Sequence, residues 1–201
     1  PARAGIDPRR ILFVDTETTG LAGGAGTYAF LIGVGYFSSE DTFVIRQFFM
    51  RDFGEEPALL RALVDELGPF EAVASFNGKA FDLPLIETRL ALARLPFGLL
   101  GAPHYDLLFP ARRLWGHVLP SCALSSLEMN VLEVRRTAED VPGHLIPGLY
   151  FDYLWGGDAR PLAGVFYHNM QDILSLVTLA ARLGRTLEDP LGSGAGALEL
   201  L

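Results

Sequence analysis

Two acidic residues, Asp15 and Glu17, follow a short apolar run at residues 11–14 and stand on either side of Thr16. Residues two apart on an extended chain point to the same side. The two carboxylates can therefore share one cation, while Thr16 is expected to point away from it. Taken alone, the tripeptide is explained as well by an acidic loop after a strand, with no chemical role.

A third acid, Asp82, ends the segment that follows a second short apolar run at residues 72–76. It stands just before an expected helix, where a carboxylate is also an ordinary N-terminal cap. Lys79 can contact a phosphate, although a solvated lysine is the more common outcome. Asp82 therefore indicates chemistry only in combination with other acids.

The best helical segment of the chain carries His168 and Asp172, four residues apart and therefore on one face. Tyr167 precedes the histidine directly. A His–Asp pair of this kind is more often a surface contact or a satisfied buried pair than a catalytic one. Its meaning depends on what else lies nearby.

The four acids Asp15, Glu17, Asp82 and Asp172 come from three segments that are far apart in the sequence. Four carboxylates cannot be buried together without cations. Oxygen ligands, in a chain with one cysteine and four histidines, favour Mg²⁺ or Mn²⁺ over zinc. Two such ions, about 3.5–4 Å apart, activate a water and stabilise the leaving oxygen in phosphodiester cleavage.

Three motifs occur in a fixed order along the chain: Asp15-x-Glu17 with Thr18-Thr19-Gly20, then Asn77-x-x-x-Phe81-Asp82, then Tyr167-His168 ahead of Asp172. This set resembles the three exonuclease motifs of the DEDD (DnaQ-like) superfamily. Residues 27–33, 119–122 and 142–150 are also similar to the YprB-type branch of bacterial proteins. The resemblance spans roughly residues 11 to 183.

The resemblance implies a ribonuclease-H-like fold, two divalent cations (Mg²⁺ or Mn²⁺) and hydrolysis of DNA or RNA from its 3′ end. The residues expected to be catalytic are Asp15, Glu17, Asp82, His168 and Asp172, of which the four acids hold the metals. The residues expected to contact the substrate are Thr18, Asn77, Lys79, Phe81 and Tyr167. An alternative is a nucleic-acid-binding or scaffold module that kept the fold and is catalytically weak.

The third motif offers two candidates for the residue that orients the attacking water. Family members have either Tyr four residues before the final Asp or His five before it, whereas here His168 is four before Asp172 and Tyr167 is five before. On a helix, four residues turn about 40° and five turn about 140°, which favours His168. A histidine, with an ordinary pKa of about 6.5, also suits proton transfer near neutral pH, whereas a tyrosine, at about 10, only orients water. Tyr167 is then expected to face elsewhere, into the core. If the helix begins near Asn169 instead, either side chain can reach the water from a loop.

Hydrophobic periodicity predicts a mixed α/β sheet flanked by helices. Strands are expected at residues 11–14, 30–37, 42–49, 72–76 and 104–106, with a hairpin turn at 38–41. Helices are expected at residues 57–67, 83–95, 107–115, 124–132 and 162–183, the last closed by Gly184. Residues 142–147 are expected to form a loop. A hairpin followed by helix–strand alternation gives a mixed sheet with helices on its faces, the ribonuclease-H-like class.

The length of 201 residues, half of them hydrophobic, predicts one domain at residues 11–186, with an N-terminal extension at 1–10 and a tail at 187–201. A first residue that is not Met and a Gly-rich tail at 192–196 indicate a piece of a longer protein. No apolar stretch approaches the roughly 20 residues of a membrane span, and no signal peptide is visible, so a cytoplasmic location is expected. The net charge of −8 is unusual for a nucleic-acid enzyme, although fifteen of the sixteen basic residues are arginines, which suit phosphate contacts.

Several other features have weaker interpretations. The Gly-rich residues 20–26 fit a loose dinucleotide fingerprint, but a strand rather than a helix is expected next, so a nucleotide cofactor is rejected. Asp106 is either a fifth acid of the site or, more simply, a structural hydrogen-bond acceptor, and the single cysteine, Cys122, is expected to be a small buried side chain. Two pairs of arginines either line the path of a nucleic-acid strand or, more commonly, only form a solvated face of the protein: Arg112, Arg113, Arg135 and Arg136. A cluster of aromatic residues stacks on bases or, more commonly, packs in the core: Tyr150, Phe151, Tyr153 and Trp155.

Overall fold

A computed structural model describes residues 6–20, 26–68, 70–99 and 101–188. Its centre is a sheet formed by β1 (Ile11–Thr18), β2 (Ala29–Ser39), β3 (Thr42–Phe49), β4 (Ala72–Ser75) and β5 (His104–Asp106). The strand order is β3-β2-β1-β4-β5. The first three strands pair antiparallel, whereas β4 and β5 extend the sheet parallel to β1. The predicted mixed sheet, including its hairpin, is therefore confirmed.

The first strand is longer than its apolar residues indicate. Residues 12–14 are buried, but β1 continues to Thr18 because Asp15 pairs with Gly33 of β2 and Glu17 pairs with Leu31. The prediction that these acids follow the strand is wrong, since both lie within it. Alternation along the strand places Asp15 and Glu17 on the same face as Phe13.

The helices are α1 (Glu56–Leu67), α2 (Asp82–Leu92), α3 (Leu108–Trp115), α4 (Leu124–Leu127), α5 (Ile146–Gly156) and α6 (Leu162–Glu188). A π-helical turn, Glu128–Leu132, continues α4, and short 3₁₀ turns occur at Pro8–Arg10, Phe53–Glu55 and Gly143–Leu145. In the part of the chain that the structure describes, no helix combines the length and apolar character needed to span a bilayer.

The helices differ from the prediction at several places: α2 ends at Leu92 rather than at residue 95, α5 was not predicted, and α6 is longer than expected. Residues 142–147 are not a loop throughout, because α5 begins at Ile146 and carries Pro147 in its first turn, where the missing N–H has no helical partner to lose. The last helix does not stop at Gly184 but runs to Glu188. Leu183 and Thr186 are buried on either side of that glycine, so packing outweighs a helix penalty of about 1 kcal/mol.

Two apolar clusters cover the two faces of the sheet. Leu12 and Val14 pack in the cluster that includes residues of α1, α2 and α5, whereas Phe13 packs in the cluster that includes residues of α3 and α6. A Cβ atom at Gly35 would lie 2.5 Å from Cγ2 of Ile173, so α6 lies directly against β2. Asp15 and Glu17, which share the face of Phe13, therefore point toward α6.

Candidate active site

Asp15 is held by a chain of side-chain amides. Asn169 of α6 is fully buried, and its Nδ2 donates to Oδ2 of Asp15 at 2.8 Å. Gln47 of β3 in turn donates to Oδ1 of Asn169 at 2.9 Å. Gly33, which pairs with Asp15, leaves the space for this amide, since a Cβ atom there would lie 2.3 Å from Oδ1 of Asn169. Sequence reasoning missed Asn169, although it stands three residues before Asp172.

Asp82 approaches β1 from the other face of the sheet. It is the first residue of α2 rather than its N-cap, and α2 packs in the cluster that contains Leu12 and Val14 of β1. The hydroxyl of Thr16 donates to Oδ1 of Asp82 at 2.5 Å. Thr16 therefore points away from the side shared by Asp15 and Glu17, as predicted, and its hydroxyl contacts the third acid.

Asp172 lies one helical turn after His168 on α6, as predicted from their spacing. Nε2 of His168 is 3.6 Å from Oδ2 of Asp172, and Nδ1 of His168 is 2.8 Å from Oδ1 of Asp140. Both residues line a cleft of about 310 Å³ with Arg136 and Asp140. Since helix α6 begins at Leu162, the alternative that it starts near Asn169 is excluded.

Arg136 is the cation that the structure places at these acids. Its Nη2 contacts Oδ1 of Asp172, and its Nη2 and Nε donate to the two oxygens of Glu128 at 2.6 and 2.8 Å. The sequence offered no signal for this, because Arg136 lies in a stretch without regular structure next to the exposed Arg135. Glu128 is also unexpected: it is 2 % exposed and stands where α4 passes into the π-helical turn.

The four acids affect one another's ionisation. Burial, and then the charges of Asp172, Glu17 and Asp82, raise the pKa of Asp15 well above its usual range. Burial, followed by the charges of Asp172 and Asp82, raises the pKa of Glu17 to about 9. Burial is also the main cause of the raised pKa values of Asp82 and Asp172. The acids therefore lie within mutual electrostatic range, on elements that approach from both faces of the sheet.

A divalent cation fits this set of donors, because carboxylates that repel one another are the ligands that Mg²⁺ and Mn²⁺ prefer. Within the described ranges, however, no group of three or more Asp, Glu, His or Cys side chains is already arranged as a metal site. The guanidinium of Arg136 instead contacts Asp172. The donor chemistry is thus suitable, while the arrangement of the side chains is not closed around an ion.

The residues predicted to contact substrate are not equally placed for it. Lys79 and Phe81 are exposed in the turn before Asp82, with Phe81 52 % exposed. Thr18 donates its hydroxyl to the carbonyl of Gly20, and Asn77 has a left-handed backbone with φ of 64°. The hydroxyl of Tyr167 accepts from the backbone N–H of Thr137 at 3.3 Å, so this ring is turned toward that loop and not into the core as expected.

Other predicted features resolve simply. Asp106 is buried and accepts from the backbone N–H groups of Asn77, Lys79 and Leu108, which is the structural role. Cys122 is half-buried rather than buried. Tyr150 is buried in a stack on Phe30, whereas Trp155 is 81 % exposed. The strand β2 follows the Gly-rich segment, where a dinucleotide fingerprint would need a helix. Residues 21–25 and the predicted linker at 192–196 lie outside the described residues.

Comparison with known proteins agrees with this architecture. The chain is 39 % identical over 189 residues to the uncharacterized protein YprB of Bacillus subtilis (strain 168), a match that covers 91 % of this chain and 44 % of YprB. The chain thus spans less than half the length of that relative. The predicted resemblance to the YprB-type branch is confirmed.

Solved structures share the fold at low sequence identity. The family B DNA polymerase of the hyperthermophilic archaeon Pyrobaculum calidifontis matches with a TM-score of 0.65 and 18 % identity, over 90 % of this chain and 25 % of the polymerase. The zinc-bound complex of E. coli ExoI with single-stranded DNA matches with a TM-score of 0.57 and 13 % identity, over 93 % of this chain and 42 % of ExoI. A family model described as the RNase_H superfamily matches residues 12–184. With a fold and a sequence match that both extend over most of its length, the chain belongs to the RNase H superfamily.

Proposed function

We propose that the protein is a metal-dependent 3′–5′ exonuclease that hydrolyses phosphodiester bonds of DNA or RNA with two divalent cations, Mg²⁺ or Mn²⁺. The observation that carries the proposal is the convergence of four carboxylates on β1, α2 and α6, where Asp82 and Asp172 raise the pKa values of Asp15 and Glu17. Such crowding is unfavourable without positive charge. The two solved structures that share this fold are a family B DNA polymerase and a complex of E. coli ExoI with single-stranded DNA.

In this proposal the protein supplies ligands, orientation and a proton acceptor. Asp15, Glu17, Asp82 and Asp172 hold the cations, which when bound would activate a water and neutralise charge on the phosphate and the leaving oxygen. Asn169 and Thr16 fix the carboxylates of Asp15 and Asp82 through hydrogen bonds. These contacts reduce the freedom of the ligands before substrate arrives.

His168 is the proposed residue that orients or deprotonates the attacking water. It lines the cleft beside Asp172, and Asp140 holds its Nδ1. Nε2 lies 3.6 Å from Oδ2 of Asp172, and in the tautomer whose proton is on Nδ1, toward Asp140, it is the nitrogen that can accept a proton from water. Tyr167 is engaged with the backbone of Thr137 and is the weaker candidate.

Exposed residues before α2 suit the substrate. Phe81 presents an aromatic ring on which an unpaired base can stack, and Lys79 presents a positive charge for a phosphate. The net charge of −8 opposes tight nonspecific binding, so we expect weak binding that depends strongly on divalent cations. We propose a cytoplasmic location, as expected for an enzyme of nucleic acids.

A catalytically weak binding or scaffold module is the second candidate. It is favoured by one observation, the contact of Arg136 with Asp172, because a guanidinium on a ligand can replace a cation instead of cooperating with it. The two candidates differ in whether metal supports cleavage.

Cleavage of labelled oligonucleotides tests the proposal. Single- and double-stranded DNA and RNA, labelled at the 5′ end, are incubated with the protein and Mn²⁺, and we expect products that shorten progressively from the 3′ end. Blocking the 3′ end should stop this, whereas an endonuclease would still cut. Asp15→Asn should abolish cleavage, and Asp65→Asn on the exposed side of α1 is the matched control. Absence of cleavage on all four substrates, with Mn²⁺ bound, would favour the scaffold module.

A further inference from the structure

Arg136 is fixed in place by groups that a metal ion does not need. Glu128 receives two hydrogen bonds from it, is itself almost fully buried, and accepts a third from the hydroxyl of Ser175 at 2.5 Å. Breaking a buried ion pair by removing one partner is costly. The guanidinium is therefore anchored beside the site and does not move freely into solvent.

The anchored guanidinium is hydrogen-bonded to one carboxylate oxygen of Asp172, a proposed metal ligand. Nη2 of Arg136 contacts Oδ1 of Asp172, while Oδ2 of Asp172 lies 3.6 Å from Nε2 of His168. Nη1 of Arg136 lies 3.1 Å from Nδ1 of His168 and 3.5 Å from Asp140. One positive charge is thus already present on the α6 side of the site, whereas Asp15 and Glu17 form no ion pair with any residue that the structure describes.

We propose that Arg136 competes with a divalent cation for Asp172, so that the ion bound on the α6 side of the site binds more weakly than these carboxylates alone would allow. This inference rests on the proposed metal-dependent function. Because Glu128 keeps the guanidinium nearby, cation binding requires Asp172 to turn away from Arg136 or to be shared with it. Like charges a few ångströms apart in a partly buried site repel strongly, so the effect on affinity is large.

Mn²⁺ binding to the metal-free protein, measured by the electron paramagnetic resonance signal of free Mn²⁺, tests the competition without any enzymatic readout. The main variant is Glu128→Gln with Arg136→Gln, which removes one positive and one negative charge and leaves the net charge unchanged. We expect the weakest Mn²⁺ site to bind about tenfold or more tightly in this variant. Glu128→Gln alone leaves the guanidinium uncompensated, and we expect it to bind Mn²⁺ more weakly than the wild type.

Two controls link the effect to Asp172. Arg135→Gln removes an exposed neighbouring arginine and should leave the weakest site nearly unchanged. In the Asp172→Asn background, the double change should no longer tighten Mn²⁺ binding. If the Gln pair does not fold, Glu128→Met with Arg136→Met fills the same volume with apolar atoms and serves as the second variant.

The possible results separate this inference from the proposed function. Tighter Mn²⁺ binding in the double variant, lost in the Asp172→Asn background, supports the competition. Equal or weaker binding overturns it, since Arg136 then positions Asp172 for the ion or is only structural. Failure of the wild type and all variants to bind Mn²⁺ overturns both the competition and the metal-dependent function.

Discussion

At the scale of single residues, the main feature of the site is a group of carboxyl groups whose pKa values are raised. Asp15 and Glu17 share one face of a strand, and Asp172 faces them from α6. Spacing within each segment did not assign them, but the order of the three motifs and their resemblance to exonuclease motifs predicted these acids as a group. Arg136, Glu128 and Asn169 were not predictable in the same way, because no local pattern shows which distant side chain a buried carboxylate will meet.

The ionisation of Glu17 should make the stability of the metal-free protein depend on pH. Its pKa is raised from an ordinary 4.5 to about 9 in the folded state, mainly by burial and then by Asp172 and Asp82. This contribution to stability is therefore fully present below pH 4.5 and is lost as the pH rises toward 9. We expect Glu17→Gln to lessen the loss, as measured by urea denaturation in EDTA across this range. Saturating Mn²⁺ should lessen it as well, and an unchanged slope in Glu17→Gln would contradict the assigned burial.

Replacement of the two candidates for orienting water should separate their roles. If cleavage is found, His168→Ala should lower kcat by about 10²-fold or more at neutral pH. Tyr167→Phe should cost little, because the hydroxyl that is lost is hydrogen-bonded to the backbone N–H of Thr137 and not to one of the four acids. The reverse pattern in single-turnover kinetics would assign the water to Tyr167.

Close packing of α6 on the sheet positions the site at the scale of elements. The hydrophobic pattern predicted this helix and the hairpin well, since both have clear periodicity. It ended β1 too early, because pairing with β2 keeps polar residues extended, and it missed the whole of α5, because Pro147 resembles a helix breaker. Tertiary contacts decided both boundaries.

Gly33 should be intolerant of a side chain because it gives the amide of Asn169 its space. A Cβ atom would lie 2.3 Å from Oδ1 of Asn169, so Gly33→Ala should destabilise the protein by about 1–3 kcal/mol. Gly184→Ala on the exposed side of α6 is the matched control, and it should stabilise by about 0.5–1 kcal/mol. Urea denaturation of both variants measures the difference, and equal stability would mean that α6 does not pack so closely on β2.

A net charge of −8 is the property of the whole molecule that should make any binding of nucleic acid depend on divalent cations. Composition predicted the charge but not where it concentrates, which required the fold. The fold was predictable from the order of strands and helices together with the motif spacing. The contact between Arg136 and Asp172 could not be predicted from the sequence.

Divalent cations should stabilise the folded protein by mass action. Ions that bind only the native state raise stability by about 2.7 kcal/mol at a concentration 100 times their Kd. We expect millimolar Mn²⁺ or Mg²⁺ to raise the Tm by several degrees, and Asp15→Asn with Asp82→Asn to remove most of this shift. A wild-type Tm that is the same in Mn²⁺ and in EDTA would contradict the metal site.

The location of the bound ion is the most direct test of the central claim, that Asp15, Glu17, Asp82 and Asp172 form one divalent-cation site. Crystals soaked in Mn²⁺ can be measured at a wavelength where manganese scatters anomalously. The account predicts anomalous density between Asp15 and Asp172, within about 2.0–2.6 Å of carboxylate oxygens. Density at His104, His117 or His144 instead, with none among the four acids, would contradict it.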